Sequence, residues 1–446
     1  MNNANFLSAL DARDALDEGS LSSVELVEAC FERIDEVEES IGAWAQLDRE
    51  VALEQARQAD DFRRRGLALG ALHGLPVGIK DIIDTSDYPT ERGSVLYRGR
   101  TPATDATLVS LLREAGAVIL GKTVTTELAV YSPGKTRNPH DPEHTPGGSS
   151  SGSAAAVAAG MVALSVGTQT NGSVIRPASF CGVYGFKPSF ARISRFGVMM
   201  QSKPLDTVGV FARSLADLAL VSDVLMRYDS QDSDMNPAAP PCIARIMAED
   251  VPVKPRFAFV RTPMWEQVEQ STKDGFRELI DSVNEENAKT IEVVDLPAQF
   301  ADLYHHHQNI MEADLALNFA GDYHDGKSQL STELCEMIER GQKVLATEYN
   351  SSLSKISDYS AYLDDLFDEY EAILTPSTFG AAPAGLENTG SPKMNTIWTS
   401  CGNPVINLPL LQNLDGLPVG VQIVGGRGDD ARLFRTSRWL LECLND

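Results

Sequence analysis

Cysteine is sparse in this sequence. The six present, Cys30, Cys181, Cys242, Cys335, Cys401 and Cys443, are scattered through 446 residues with no CxxC pair. That spacing excludes a thiolate metal site and a dense disulfide framework, and free thiols in a reducing compartment are the expectation. Basic residues are also short. The 38 Lys and Arg stand against 63 Asp and Glu, a formal net charge of −25, and a surface of that sign repels a phosphate backbone, so nucleic acid is not an expected partner. No apolar run reaches the roughly 18 residues that a membrane-spanning helix needs. The opening segment MNNANFLSALDARDALDEGS lacks the basic start and apolar core of a secretory signal, and the expected location is cytoplasmic.

What is there, 43% hydrophobic and 23% charged residues, suits a soluble globular protein with ample material for a core. The rest is organised around residues 145–176, TPGGSSSGSAAAVAAGMVALSVGTQTNGSVIR. Gly147, Gly148 and Gly152 free the backbone around Ser149, Ser150 and Ser151. Residues 154–160 read as a helix of tiny side chains and 161–166 as a short buried strand. The glycine turn 168–173 then leads into Arg176-Pro177, where proline suits a first helical position.

Successive backbone N–H groups in such a turn make an anion pocket of the kind acyl transfer needs beside its nucleophile. Ser173 sits at its mouth. A serine hydroxyl is a poor nucleophile until a base takes its proton. His73, His140 and His144 show no Ser-His-Asp pattern. The better base is Lys80, delivered by the apolar strand-like run LHGLPVGIKD, residues 72–81, because burial lowers a lysine's affinity for its proton.

At these residues the chain resembles the amidase signature family of serine hydrolases. The resemblance covers LHGLPVGIKD, then GGSSSGS through GSVIRPASFCGVYGFKPS, and GLPVGVQIVG at 416–425. It implies Ser173 as nucleophile, Ser149 as a bridging serine on a cis Gly148–Ser149 peptide, and Lys80 as terminal base. The N–H groups of Thr170, Asn171, Gly172 and Ser173 would receive the oxyanion, with Arg176, Ser150 and Gln169 against the substrate. Ser150, Ser151 and Ser153 equally suit turn and cap roles. Two positions depart from the commoner pattern: Asn171 replaces a glycine, and asparagine tolerates left-handed backbone, while Gln169 stands where many members carry aspartate. No metal or organic cofactor is implied.

The fold implied is α/β, a central mixed twisted sheet covered by helices on both faces, within a single domain over 1–446. Its parts are an N-terminal helical layer (1–70), a catalytic core (71–226), a mostly helical excursion (227–370) and a return to the sheet (371–446). The residues support this reading. Segments 6–16, 22–37 and 49–64 read as amphipathic helices, the second with Glu25 placed to complete a capping box on Ser22. Helices follow at 107–115, 214–226 and 266–284, and strands at 117–120, 256–260, 291–295 and 372–376. The polar, proline-rich segment 229–242 breaks the chain, and 298–370 is largely helical.

Three further patterns carry other chemistry. Gly148 to Gly152 fits G-x-S-x-G with Ser150 as nucleophile, but that motif needs a preceding strand and NPHDPEHTPGG is a loop. His305, His306 and His307 cannot close on one ion from one helix face, so a solvated surface is expected. Asp81 follows Lys80, yet strand alternation points it to the opposite face.

The function expected is hydrolysis of a small carboxamide, with a carboxylate-bearing amide suggested by Arg176. A small-molecule amide is the expected partner; membranes are excluded and a homodimer is allowed. Two alternatives stand beside it: the amidase subunit of a tRNA-dependent amidotransferase, and a non-catalytic carboxamide-binding protein. In the former the arginine typically follows the nucleophile by two residues, whereas GSVIRP places it at three.

Overall fold

The computed structural model describes residues 3–287 and 290–445. Among these, eleven strands join in one sheet: β1 (Trp44–Leu47), β2 (Pro76–Lys80), β3 (Val118–Thr123), β4 (Leu164–Gln169), β5 (Tyr184–Lys187), β6 (Thr207–Ala212), β7 (Phe257–Arg261), β8 (Ile291–Asp295), β9 (Ala372–Pro376), β10 (Val405–Gln412) and β11 (Pro418–Val424). Across the sheet they run β1-β3-β2-β4-β6-β5-β10-β11-β9-β7-β8. β2 is parallel to β3 and β4, and β7 is parallel to β8 and β9. The other pairings are antiparallel, so the sheet is mixed. All residues of β2, β3 and β4 are buried, as parallel strands covered by helices require.

The N-terminal helices are α1 (Ala9–Glu18), α2 (Ser23–Ile41) and α3 (Arg49–Arg64). The capping box forms: Ser22 Oγ accepts from the Glu25 N–H at 3.2 Å, and Glu25 Oε2 accepts from the Ser22 N–H at 2.8 Å. The core adds α4 (Thr107–Glu114), α5 (Ser151–Ala158), α6 (Ile175–Phe180) and α7 (Leu215–Leu225). The middle stretch holds α8 (Ile243–Ala248), α9 (Gln270–Glu286), α10 (Leu303–Asn318), α11 (Ala320–Gly326), α12 (Thr332–Gly341) and α13 (Ala346–Glu369). The chain closes with α14 (Lys393–Ser400) and α15 (Asp430–Asn445).

Close approach explains the composition of α5. Ala154, Ala155 and Ala156 are fully buried, and a Cβ on Gly152 would lie 2.2 Å from Ala43 O and 2.4 Å from Val124 N. Ser153 ties the helix to two strands, its Oγ 2.7 Å from Thr123 Oγ1 and 3.0 Å from Val166 O. Strand β4 runs on to Gln169, further than the apolar run suggests, and α6 begins at Ile175. Pro177 is therefore third in its helix. It fits there because first-turn N–H groups have no acceptor within the helix.

Candidate active site

Strand β2 ends by driving Lys80 into the interior, where none of it is exposed. Its Nζ lies 2.8 Å from Ser149 Oγ and 2.9 Å from Thr168 Oγ1 on the parallel neighbour β4. No carboxylate among the described residues lies within ion-pair distance. Desolvation therefore dominates and holds the amine well below the ordinary lysine range, opposed only by the more distant charge of Asp206. Asp81 does point the other way, as strand alternation requires: its carboxylate lies 3.6 Å from Lys122 Nζ and accepts from the Glu91 N–H.

Ser149 begins the second element of the site. The Gly148–Ser149 peptide is cis, the Ser149 carbonyl accepts from the Thr126 N–H at 3.2 Å, and the Gly148 carbonyl accepts from Arg176 Nε at 3.2 Å and Nη2 at 2.7 Å. Arg176 is buried, and its Nη1 donates to Gly390 O. Burial pulls its guanidinium down to about 10, so it remains charged at neutral pH, with Tyr131 beside it and no ion-pair partner among the described residues.

The turn 170–173 forms the third element. Its Asn171, Gly172 and Ser173 N–H groups have no acceptor among the described residues, whereas the next two are taken: Gln169 Oε1 accepts from Val174 N at 2.8 Å and Ile175 N at 3.0 Å. The first turn of α6 is thereby capped from within the preceding strand. Ser173 is 8% exposed, and its hydroxyl has no partner among the described residues. Glycine is required at 172, where a Cβ would meet Asn395 Oδ1 at 2.5 Å. No hydrogen bond joins Ser149 to Ser173 in this arrangement; catalytic hydrogen bonds often tighten only with substrate in place.

A sequence profile of the family described as Amidase matches residues 25–434. The chain belongs to the amidase family. Its amidase signature blocks bring Lys80 and Ser149 into contact and set Arg176 against the Gly148 carbonyl. A glutamyl-tRNA(Gln) amidotransferase subunit from Chloroflexus aggregans is 34% identical over 98% of this chain and 96% of its own. A peptide amidase from Stenotrophomonas maltophilia superposes with a TM-score of 0.84 at 28% identity, covering 98% of this chain and 96% of that one. A chain from a vestigial protein complex, reported in connection with the origins of an s-triazine catabolic enzyme, gives a TM-score of 0.90 at 26% identity, covering 98% of each.

Within this family member, several expected roles change. The Ser150 hydroxyl is engaged by β4, donating to Thr168 O at 3.1 Å and accepting from Thr168 N at 3.2 Å, and so braces the strand. Gln169 likewise caps α6 and donates to Thr399 Oγ1 at 2.9 Å, so it positions the turn. An aspartate could also accept those N–H groups, which is why glutamine is tolerated there. Asn171 is not among the residues with positive φ. Its side chain is what the site uses: Nδ2 donates to Tyr131 Oη at 3.3 Å and Oδ1 accepts from Thr396 Oγ1 at 2.8 Å.

His307 is not a solvated histidine. It is buried, with Nε2 3.1 Å from Thr170 O, and desolvation lowers it to about 4. His305 is exposed and His306 half-buried, and no metal-binding cluster occurs among the described residues. Cys181 is packed and closed off, as its apolar context suggests. The residues that sequence reasoning missed are Tyr131, Gln201, Asp206, Thr396 and Thr399. All five lie outside the glycine-serine blocks, and their contacts with the turn are made through the tertiary fold.

Proposed function

We propose that this chain cleaves the C–N bond of a small carboxamide through an acyl-enzyme on Ser173. The observation that carries the reading is a deeply buried lysine, its proton affinity lowered by desolvation, 2.8 Å from Ser149 Oγ. The neutral Lys80 amine accepts the Ser149 proton as Ser149 takes that of Ser173, and Ser173 Oγ attacks the carbonyl carbon. The unpartnered N–H groups of the 170–173 turn receive the oxyanion. The proton then returns along the same path to the departing nitrogen, and ammonia or an amine leaves. Water repeats the sequence to free the acid and restore Ser173. A single-domain cytoplasmic enzyme is the corresponding proposal.

Arg176 supports a carboxylate-bearing substrate. Three of its five N–H groups go to backbone carbonyls, which leaves two, and a buried cation without a counter-ion favours an anion brought by the substrate. The names of the curated relatives back a second reading better than free-standing hydrolysis: an amidase subunit that releases ammonia within a tRNA-dependent amidotransferase. The position of Arg176, three residues after Ser173, is the feature on the other side.

Purified chain without tRNA or partner decides between them. Turnover of simple amides, with hydroxylamine trapping a hydroxamate and mass spectrometry placing the acyl group on Ser173, supports hydrolysis. Ammonia release that requires a partner supports the subunit reading. An acyl adduct on any other residue, or no adduct under either condition, removes the assignment. A dicarboxylic acid monoamide compared with its ester-capped analogue, in wild type and Arg176→Gln, tests the anion: preference for the acid should disappear in the variant.

A further inference from the structure

Behind the oxyanion turn, one hydroxyl meets two acceptors. Thr170 Oγ1 lies 2.6 Å from Gln201 Oε1 and 2.6 Å from Asp206 Oδ1, yet a threonine hydroxyl has a single proton to donate. The Gln201 amide is oriented by its far end, where Nε2 donates to Leu128 O at 2.7 Å. Turned over, it would set two acceptors against each other at that contact. Gln201 Oε1 therefore takes the Thr170 proton, and Thr170 Oγ1 must accept from Asp206. The other carboxyl oxygen, Oδ2, already accepts from the N–H groups of Gln201 at 2.7 Å and Ser202 at 3.1 Å. The acid proton is thus placed on Oδ1.

We propose that Asp206 in its protonated form acts as a positioning residue. Its Oδ1–H donates to Thr170 Oγ1 and fixes the turn that carries the oxyanion donors, and its neutrality leaves Lys80 without an anion at its back. The inference rests on the reading of Lys80 as the base. Thr170, Asp206 and Gln201 line one small cavity of about 10 Å³ together with Thr168, the hydroxyl that contacts Lys80.

The charged and titratable surroundings of Asp206 are divided: burial favours the neutral acid, and the Thr170 hydroxyl, the N–H groups of Gln201 and Ser202 and the charge of Arg195 oppose it. For Lys80, on β2, burial lowers the affinity for a proton. The Arg195 guanidinium is committed to Asp232 and Asp234, and toward Asp206 it reaches only the backbone carbonyl, at 3.3 Å. Lys203 is exposed and lies 3.6 Å from Asp234. From α10, His307 is neutral near Thr170 O and Asp314 accepts from Ser202 Oγ at 2.6 Å. Desolvation raises Asp206 to about 6, so the acid holds its proton below that pH. A proton reaching Lys80 then meets no buried anion to trap it, and it returns readily to the leaving nitrogen.

Difference infrared spectroscopy of wild type against Asp206→Asn tests this without turnover. At about pH 5 the wild type should show a protonated-carboxyl carbonyl band that the variant lacks and that titrates away as pH rises through about 6. In kcat/KM, ionisation of Asp206 removes a donor from Thr170 and places an anion near Lys80, so the wild type should lose activity on the alkaline side. Asp206→Asn keeps a neutral donor and should move that limb up by about one pH unit or more. A purely structural carboxylate would not shift the limb.

Absence of the band, an alkaline limb unmoved in the variant, or a failure of Asp206→Asn to fold would each overturn the proposal, since asparagine mimics only the protonated acid. The band persisting in a protein that forms no acyl-enzyme would instead remove the reading of Lys80 and leave the proton on Asp206.

Discussion

Lys80 Nζ and Ser149 Oγ lie 2.8 Å apart although 69 positions separate them in the chain. The contact closes because β2 and β4 are parallel neighbours, with Ile79 paired to Val166, and because Ser150, next to Ser149 at the start of α5, is bonded to Thr168 near the end of β4. A lysine so placed has exchanged water for two hydroxyls, and its behaviour with pH follows from that.

Burial lowers the affinity of Lys80 for a proton, so in the range between its folded value and the ordinary value of about 10.4 the unfolded chain binds a proton there and the folded chain does not. The stability contributed by this site therefore rises with pH, and kcat/KM should fall as pH drops through the depressed value. Chemical denaturation across pH should show wild type gaining on Lys80→Met as pH rises. Parallel stability curves, or a flat acid limb in kcat/KM, would count against a buried neutral lysine.

Removal of the three proton-handling residues should give unequal and non-additive losses. Ser173→Ala should abolish acylation and Lys80→Ala should come close to it, with the double variant little worse than the more damaging single one. Ser149→Ala should cost on the order of 100-fold in kcat. Near-normal turnover of Ser149→Ala across pH would show that the proton takes another route.

At Asn171 the side chain matters and not backbone freedom, since its φ is negative while both amide atoms are engaged. Asn171→Gly and Asn171→Ala should lose activity together, by about 30-fold each, in line with two lost hydrogen bonds at about 1 kcal/mol apiece. Steady-state kinetics on the pair decides it: a glycine variant that works while the alanine variant fails would return the explanation to the backbone.

Gln169→Leu should destabilise the fold more than it alters chemistry elsewhere. It strands the Val174 and Ile175 N–H groups and removes a donor from Thr399 Oγ1, and a buried group left unsatisfied costs about 1–3 kcal/mol. Urea denaturation should show a loss of that order or larger. A midpoint equal to wild type would mean that the cap contributes little.

His307 should stay neutral through the range in which histidines normally titrate, because desolvation holds it to about 4. An NMR titration should find its ring resonances unchanged between about pH 5 and 8 while an unperturbed histidine moves near 6.5. Titration of His307 near that ordinary value would place it in water.

The glycine-serine block, the apolar run into Lys80 and the amphipathic helices were legible in the sequence because each is a local pattern: residue spacing, turn chemistry and helical period act between neighbours. α3 and the Ser22–Glu25 capping box formed where local signals placed them. Strands β1, β5, β6, β10 and β11 and helix α14 were not legible. What holds them is pairing with distant strands or contact with the turn at Asn171. The roles within the site divided the same way. That Ser173 follows a turn rich in free N–H groups is a property of its own segment. That Ser150 braces β4, Gln169 caps α6, His307 backs Thr170 and Asp206 faces a hydroxyl already spent on Gln201 depends on which buried donor meets which acceptor. Those partners come from strands and helices far apart in the chain, so only the tertiary structure decided them.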